Sequence, residues 1–62
     1  MLSIDEAAAR LHAKGWSTGD VAMKSGEWAV SCTRTGVTIN EFADSQTEAW
    51  IKAWRRAEAM DN

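Results

Sequence analysis

Asp20-Val21-Ala22-Met23-Lys24-Ser25-Gly26-Glu27-Trp28-Ala29-Val30-Ser31-Cys32-Thr33-Arg34-Thr35-Gly36-Val37-Thr38-Ile39-Asn40 is the stretch whose reading decides the fold. Val21 and Met23 alternate with Asp20, Ala22 and Lys24. Trp28, Val30 and Cys32 alternate with Ala29, Ser31 and Thr33, and Val37 and Ile39 alternate with Thr38 and Asn40. Ser25-Gly26 and Thr35-Gly36 separate these runs as turns. Three period-two runs joined by glycine turns predict an antiparallel meander. One sheet face is expected to carry Val21, Met23, Trp28, Val30, Cys32, Val37 and Ile39 toward a core. The other carries Ala22, Ala29, Ser31, Thr33, Thr38 and Asn40, a flat, hydroxyl-rich surface without large side chains.

Helical signals lie on either side. Ser3-Ile4-Asp5-Glu6 reads as a capping box, and Ile4, Ala7, Ala8 and Leu11 then recur at helical spacing. Gly15 follows Lys14 as a left-handed stop, so the first helix covers about residues 3–14. Ser45-Gln46-Thr47-Glu48 reads as a second capping box, and a helix over about 46–60 follows. Ala49, Ala53, Ala57 and Met60 form its apolar stripe, with Trp50 beside it and Trp54 at the margin. Only one sheet face is strongly apolar, so both helices are expected on that face. The predicted fold class is α+β: a two-layer α-β-β-β-α domain over residues 1–62, with a three-stranded antiparallel sheet.

Sixty-two residues hide only about 60% of the unfolded chain's surface on folding. The one cysteine excludes an intramolecular disulfide, and with the one histidine it cannot supply a structural zinc site. The four tryptophans are the compensating device. Trp16, Trp28 and Trp50 read as core, whereas Trp54 remains a contact candidate. With no disulfide framework, no apolar run of membrane-spanning length and no signal-like N-terminus, the expected location is the cytoplasm.

Residues that carry chemistry are few. Cys32 alternates with Trp28 and Val30 on the inward face, so it reads as a small hydrophobe rather than a nucleophile served by His12. No metal-ligand spacing and no phosphate-binding glycine loop is present. The expectation is a non-enzymatic chain without a cofactor or metal.

Charge is the remaining signal. Nine carboxylates face seven bases, for a net charge of −2. In the predicted topology both helix N-termini share an end with the Ser25-Gly26 turn. That end collects Asp5, Glu6, Glu27, Glu41, Asp44 and Glu48, with Lys24 as its lone base. The other end collects Arg10, Lys14, Arg34, Arg55 and Arg56, opposed by Asp20, Glu58 and Asp61. Helix dipoles favour such a polarity. Six grouped carboxylates also imitate phosphate spacing, which would attract a basic, nucleic-acid-binding surface of another protein. Ile51, Trp54 and Arg55 form a second candidate surface, of hot-spot composition, for a partner or a dimer.

The α-β-β-β-α order is similar to that of double-stranded RNA-binding domains. That family carries a basic cluster at the start of its last helix, where this chain has Asp44-Ser45-Gln46-Thr47-Glu48. A weak nucleic-acid binder would instead use Arg34, Arg55 and Arg56 at the basic end.

The chain more closely resembles small phage and prophage proteins of the phage ABA sandwich kind. The resemblance lies in Ala13-Lys14-Gly15-Trp16, Glu27-Trp28-Ala29-Val30-Ser31, Thr35-Gly36-Val37-Thr38 and Ser45-Gln46-Thr47-Glu48-Ala49-Trp50-Ile51-Lys52-Ala53. It implies a phage or mobile-element origin and a host bacterial cytoplasm. In size, acidity and origin the chain is similar to anti-CRISPR proteins. That implies a non-enzymatic inhibitor whose acidic end mimics DNA toward a host defence complex. A self-associating phage structural module is the other expectation, joined through Ile51 and Trp54 or through an open strand edge.

Overall fold

The computed structural model describes residues 2–61. The order is α1 (Ile4–Ala13), β1 (Ser17–Ala22), β2 (Trp28–Arg34), β3 (Val37–Ala43) and α2 (Gln46–Met60). The strands form one antiparallel sheet in the order β1-β2-β3, so the chain is an α+β fold of the expected α-β-β-β-α sequence.

Each element ends for a local reason. In α1 the Ser3 hydroxyl accepts from the Glu6 N–H at 3.1 Å, and the Glu6 carboxylate accepts from the Ser3 N–H at 3.3 Å. Gly15, at φ 88°, closes the helix. Its N–H donates to the His12 carbonyl, and the Trp16 N–H donates to the Leu11 carbonyl. That pair of bonds is a Schellman motif, and the buried Trp16 and Leu11 side chains are its hydrophobic partners. In α2 the Ser45 hydroxyl accepts from the Glu48 N–H at 3.2 Å. No reciprocal bond from Glu48 appears among the described hydrogen bonds, so α2 has half of the expected box.

The two hairpins differ, and the difference reverses one strand. Thr35-Gly36 is a two-residue loop with both φ values positive, 49° and 79°, as a type I′ turn requires. It pairs Arg34 with Val37, as the alternation predicts. A two-residue Ser25-Gly26 turn would have paired Met23 with Trp28 and Val21 with Val30. Instead the Met23 N–H bonds the Glu27 carbonyl, which leaves Lys24-Ser25-Gly26 as a three-residue loop with Gly26 at φ 94°. The extra residue pairs Ala22 with Trp28 and Val21 with Ala29. One residue of slip turns every side chain of β1 over. Val21 and Met23 therefore leave the expected core and stand exposed on the bare face, while Ala22 moves to the helix side. Strand β1 also begins earlier than predicted, at Ser17, directly after the helix stop.

The core lies between the sheet and the helices. It holds Ala7, Leu11, Trp16, Val30, Cys32, Ile39, Ala43, Ala49, Trp50, Ala53 and Ala57. The alanine stripe of α2 is 0–3% exposed and lets that helix approach the sheet closely. Ile4, Ala8, Trp28 and Trp54 are half-buried against this cluster. Val37 points to the helix side but lies beyond the cover, and Met60 is exposed as well.

Three substitutions test this arrangement. Val30→Ala should cost about 2 kcal/mol, for two buried methyls and the cavity they leave, whereas Val21→Ala should stay within about 0.5 kcal/mol. Thr35→Asn should stabilise the fold by about 0.5–1 kcal/mol, because a β-branched residue is strained in the left-handed region that asparagine tolerates. Urea titrations followed by tryptophan fluorescence measure all three.

Candidate functional site

The antiparallel path sends both helices away from the same end of the sheet. Their C-termini meet at the far end. There Arg34 donates to the Asp61 carboxylate at 2.7 Å and to the Lys14 carbonyl at 3.0 Å. Its guanidinium also lies 4.4 Å from the centroid of the Trp16 ring, and Lys14 reaches Asp61 at 3.7 Å. One arginine thus ties together the ends of α1, β2 and α2.

At the opposite end lie the first turns of both helices and the β1–β2 loop. Asp5, Glu6, Glu27, Asp44 and Glu48 are all exposed there. Glu6 is engaged in the α1 cap. Asp5, Glu27, Asp44 and Glu48 have no ion pair among the described residues. Glu41, expected with them, is placed elsewhere. It stands opposite Val30 on the helix side of β3, half-buried, 3.9 Å from Arg56. Asp20 also departs from the expected charge map. It lies on the helix side of β1, where its Oδ2 accepts from Gln46 Nε2 at 2.8 Å and Trp50 Nε1 at 3.0 Å. It thereby faces the start of α2 instead of opposing the basic cluster.

Two carboxyls are held below their ordinary value. The Gln46 bond, followed by the Trp50 bond, lowers Asp20, and the Arg34 bond is the chief cause at Asp61. Burial pushes the Cys32 thiol up, so it stays protonated inside the core. His12 Nε2 shares a 2.8 Å hydrogen bond with Thr18 Oγ1, and no described hydrogen bond joins His12 to Cys32. Among the described residues, no group of three or more His, Cys, Asp or Glu is placed to hold a metal ion. No helix among them is long and apolar enough to cross a membrane.

The second candidate surface is divided by the fold. Trp54 is half-buried against the core, with the Arg10 guanidinium 5.2 Å from its ring centroid and its indole N–H buried. Ile51 and Arg55 lie on the outer side of α2, where a shallow groove also includes Ser45, Thr47, Glu48 and Lys52.

Phe42 lies beyond the alternation read from the sequence, which ends at Asn40, whereas β3 continues through Glu41-Phe42-Ala43. Phe42 projects from the bare sheet face, level with Ala29 and Val21. That face is therefore not free of large side chains.

No protein-family model, curated protein or solved structure matches this chain.

The lowered carboxyls set an acid limit. A carboxylate with a depressed folded pKa contributes fully above its unfolded value, near 3.8 here, and loses that contribution as pH falls through the folded value. Stability should therefore decline as pH falls below the ordinary value near 3.8. An Asp20→Asn/Asp61→Asn double variant should be less stable at neutral pH and show a flatter stability curve below that pH. Urea midpoints measured at several pH values decide it, and an unchanged slope would count against the assignment.

Proposed function

We propose that this chain acts by occupying a surface of another protein, with its acidic end as the electrostatic contact. The supporting observation is the unequal pairing of charge at its two ends. At the far end Arg34 and Lys14 both pair with Asp61, while Asp5, Glu27, Asp44 and Glu48 are exposed without an ion pair among the described residues. Uncompensated carboxylates at one end create a directional negative field. A groove lined with Lys and Arg for nucleic-acid phosphates has the complementary chemistry.

The fitting partner is a nucleic-acid-handling effector, and the resemblance to phage proteins points to a bacterial defence complex of the CRISPR type. In this reading the chain is a phage-encoded inhibitor that competes with DNA. The contact set is Asp5, Glu27, Asp44 and Glu48, with Glu6 contributing charge from its cap. Glu41 drops out because Arg56 stands against it.

Direct nucleic-acid binding through the basic end has less support. Arg34 is committed to Asp61, the Lys14 carbonyl and Trp16, and Arg56 faces Glu41. Of the three, Arg55 has no ion pair or hydrogen bond from its side chain among the described residues.

The test is an interference assay in bacteria carrying an active CRISPR system, with and without the expressed chain. Wild type should restore plasmid transformation, and Asp44→Lys/Glu48→Lys should abolish that effect while leaving the circular dichroism melt within a few degrees. Arg55→Glu should retain inhibition. In vitro, effector binding should weaken steeply between about 50 and about 200 mM salt, as screening shortens the range of the field. Inhibition unchanged by the double reversal would sink this reading.

A further inference from the structure

Three exposed apolar side chains gather at one end of the bare sheet face. Val21, Ala29 and Phe42 stand in register across the three strands, one row in from the β1–β2 loop. The bond from the Met23 N–H to the Glu27 carbonyl continues that register by one pair, so Met23 and Glu27 make the next row. Asp44 lies two positions beyond Phe42, just past the end of β3. Val21 is 57% exposed, Phe42 48% and Met23 41%. Glu27 and Asp44 are exposed at their border, with no ion pair among the described residues. We propose that the apolar row and the acidic end form one docking surface, and that its occupant is a protein segment with a large apolar side chain flanked by Lys or Arg. Such an occupant presupposes that the acidic end is the partner contact, as proposed above.

The charge bordering the row selects this chemistry. Asp5, Glu6, Glu27, Asp44 and Glu48 are the exposed carboxylates of this end. Two bases stand near them: Lys24 in the loop, and Lys52, whose Nζ donates to the Phe42 carbonyl at 2.6 Å. The border is therefore acidic on balance. A nucleic acid, an anionic lipid surface or a second acidic end brings the sign that it repels. An uncharged apolar surface would strip water from Glu27 and Asp44 without replacing it. A basic segment satisfies both parts, with cations on the carboxylates and an apolar side chain on the row.

Shape limits the anchor to one side chain. Ala29 lies between Val21 and Phe42, so the row reads large, small, large across the sheet. Strands about 4.8 Å apart leave a notch over Ala29 as wide as a single side chain. The rest of the face is small and polar. Its Ser31 hydroxyl donates to Asn40 Oδ1 at 2.6 Å, and Thr33 and Thr38 lie level beyond them. That part has the composition of a surface left to water. The contact is the size of one segment, so charge and notch are both needed. The field sets how fast a polycation arrives, and the notch decides which one stays.

Two synthetic Lys-rich peptides of equal length and charge are the probes, one with a single central Leu and the other with Ser there. Each is titrated into the whole chain at low salt and followed by heteronuclear NMR. The Leu peptide should bind about fivefold tighter, the effect of half-burying one Leu. It should shift the amides of Val21, Ala29 and Phe42 together with those of Glu27 and Asp44, whereas the Ser peptide should shift the acidic end alone. Phe42→Ser, and independently Val21→Ser, should remove the preference for Leu without weakening the Ser peptide or lowering the melt by more than a few degrees. Asp44→Lys/Glu48→Lys should weaken both peptides. Salt should weaken both and leave their ratio unchanged. Equal affinity for the two peptides overturns this surface but not the acidic contact, and so does a preference that survives both face variants. Binding of neither peptide overturns both. In the interference assay Phe42→Ser should lose inhibition. Inhibition lost in the double reversal but kept in Phe42→Ser overturns the apolar part alone, and inhibition kept in both overturns the acidic reading as well.

Discussion

Each strand sends one charged side chain into the helix layer, and the layer is arranged so that each finds a partner. A charge on the covered side of a sheet loses hydration, and the loss is tolerable only when hydrogen bonds or an opposite charge replace it. Asp20 of β1 takes Gln46 and Trp50, Glu41 of β3 faces Arg56, and Arg34 of β2 takes Asp61 and the Lys14 carbonyl. These contacts fix α2 along its length: near its start, toward its last turns and at its cap. The Asp20 contact has a further consequence. Strand β1 offers only Thr18, Asp20 and Ala22 to the helix side, so it has little apolar area with which to hold α2. The indole N–H of Trp50 supplies a directional tie where hydrophobic contact is thin.

The tryptophans carry most of the burden that a disulfide or metal would carry in other small domains. Burying a ring of this size contributes roughly 4–6 kcal/mol of gross hydrophobic free energy. Trp16 and Trp50 are 3% and 6% exposed and sit at the two ends of the core. Their indole N–H groups are treated differently. Trp50 donates to Asp20, whereas the N–H groups of Trp16 and Trp54 are buried without a partner among the described residues. Each such orphan costs on the order of 1–3 kcal/mol. Arg34 over Trp16 and Arg10 over Trp54 offset part of that cost through the ring faces. The four rings are therefore mainly a device for stability, with Arg10 over Trp54.

How much of this was legible in the sequence follows from where each signal is local. The α1 cap, the Gly15 stop, the alanine stripe of α2 and the Thr35-Gly36 turn each depend on residues within a few positions of one another. All were readable. The register of β1 depends on whether Ser25-Gly26 closes a two-residue or a three-residue loop. Composition favours neither, and the choice inverts the strand. The two-residue reading puts Val21 and Met23 on the wrong face and so hides the row they share with Phe42. The charge map failed for a related reason. Position along the chain places Glu41 near one end of the molecule, but strand parity decides which layer it faces. Asp20 was misplaced by the same loop residue that turned Val21 over.

Corrected parity changes what the charges mean. With Asp20 held by Gln46 and Trp50 and Glu41 facing Arg56, the acids without an ion pair or cap among the described residues are Glu58 near the end of α2 and, at the other end, Asp5, Glu27, Asp44 and Glu48. The bare face keeps the expected hydroxyl-rich surface of Ser31, Thr33, Thr38 and Asn40, where the Ser31 hydroxyl donates to Asn40 Oδ1 at 2.6 Å across β2 and β3. Val21, Ala29 and Phe42 add an apolar row near its acidic end. Field and exposed apolar surface therefore lie at the same end of the molecule, so a partner drawn by the charge meets hydrophobic side chains beside it.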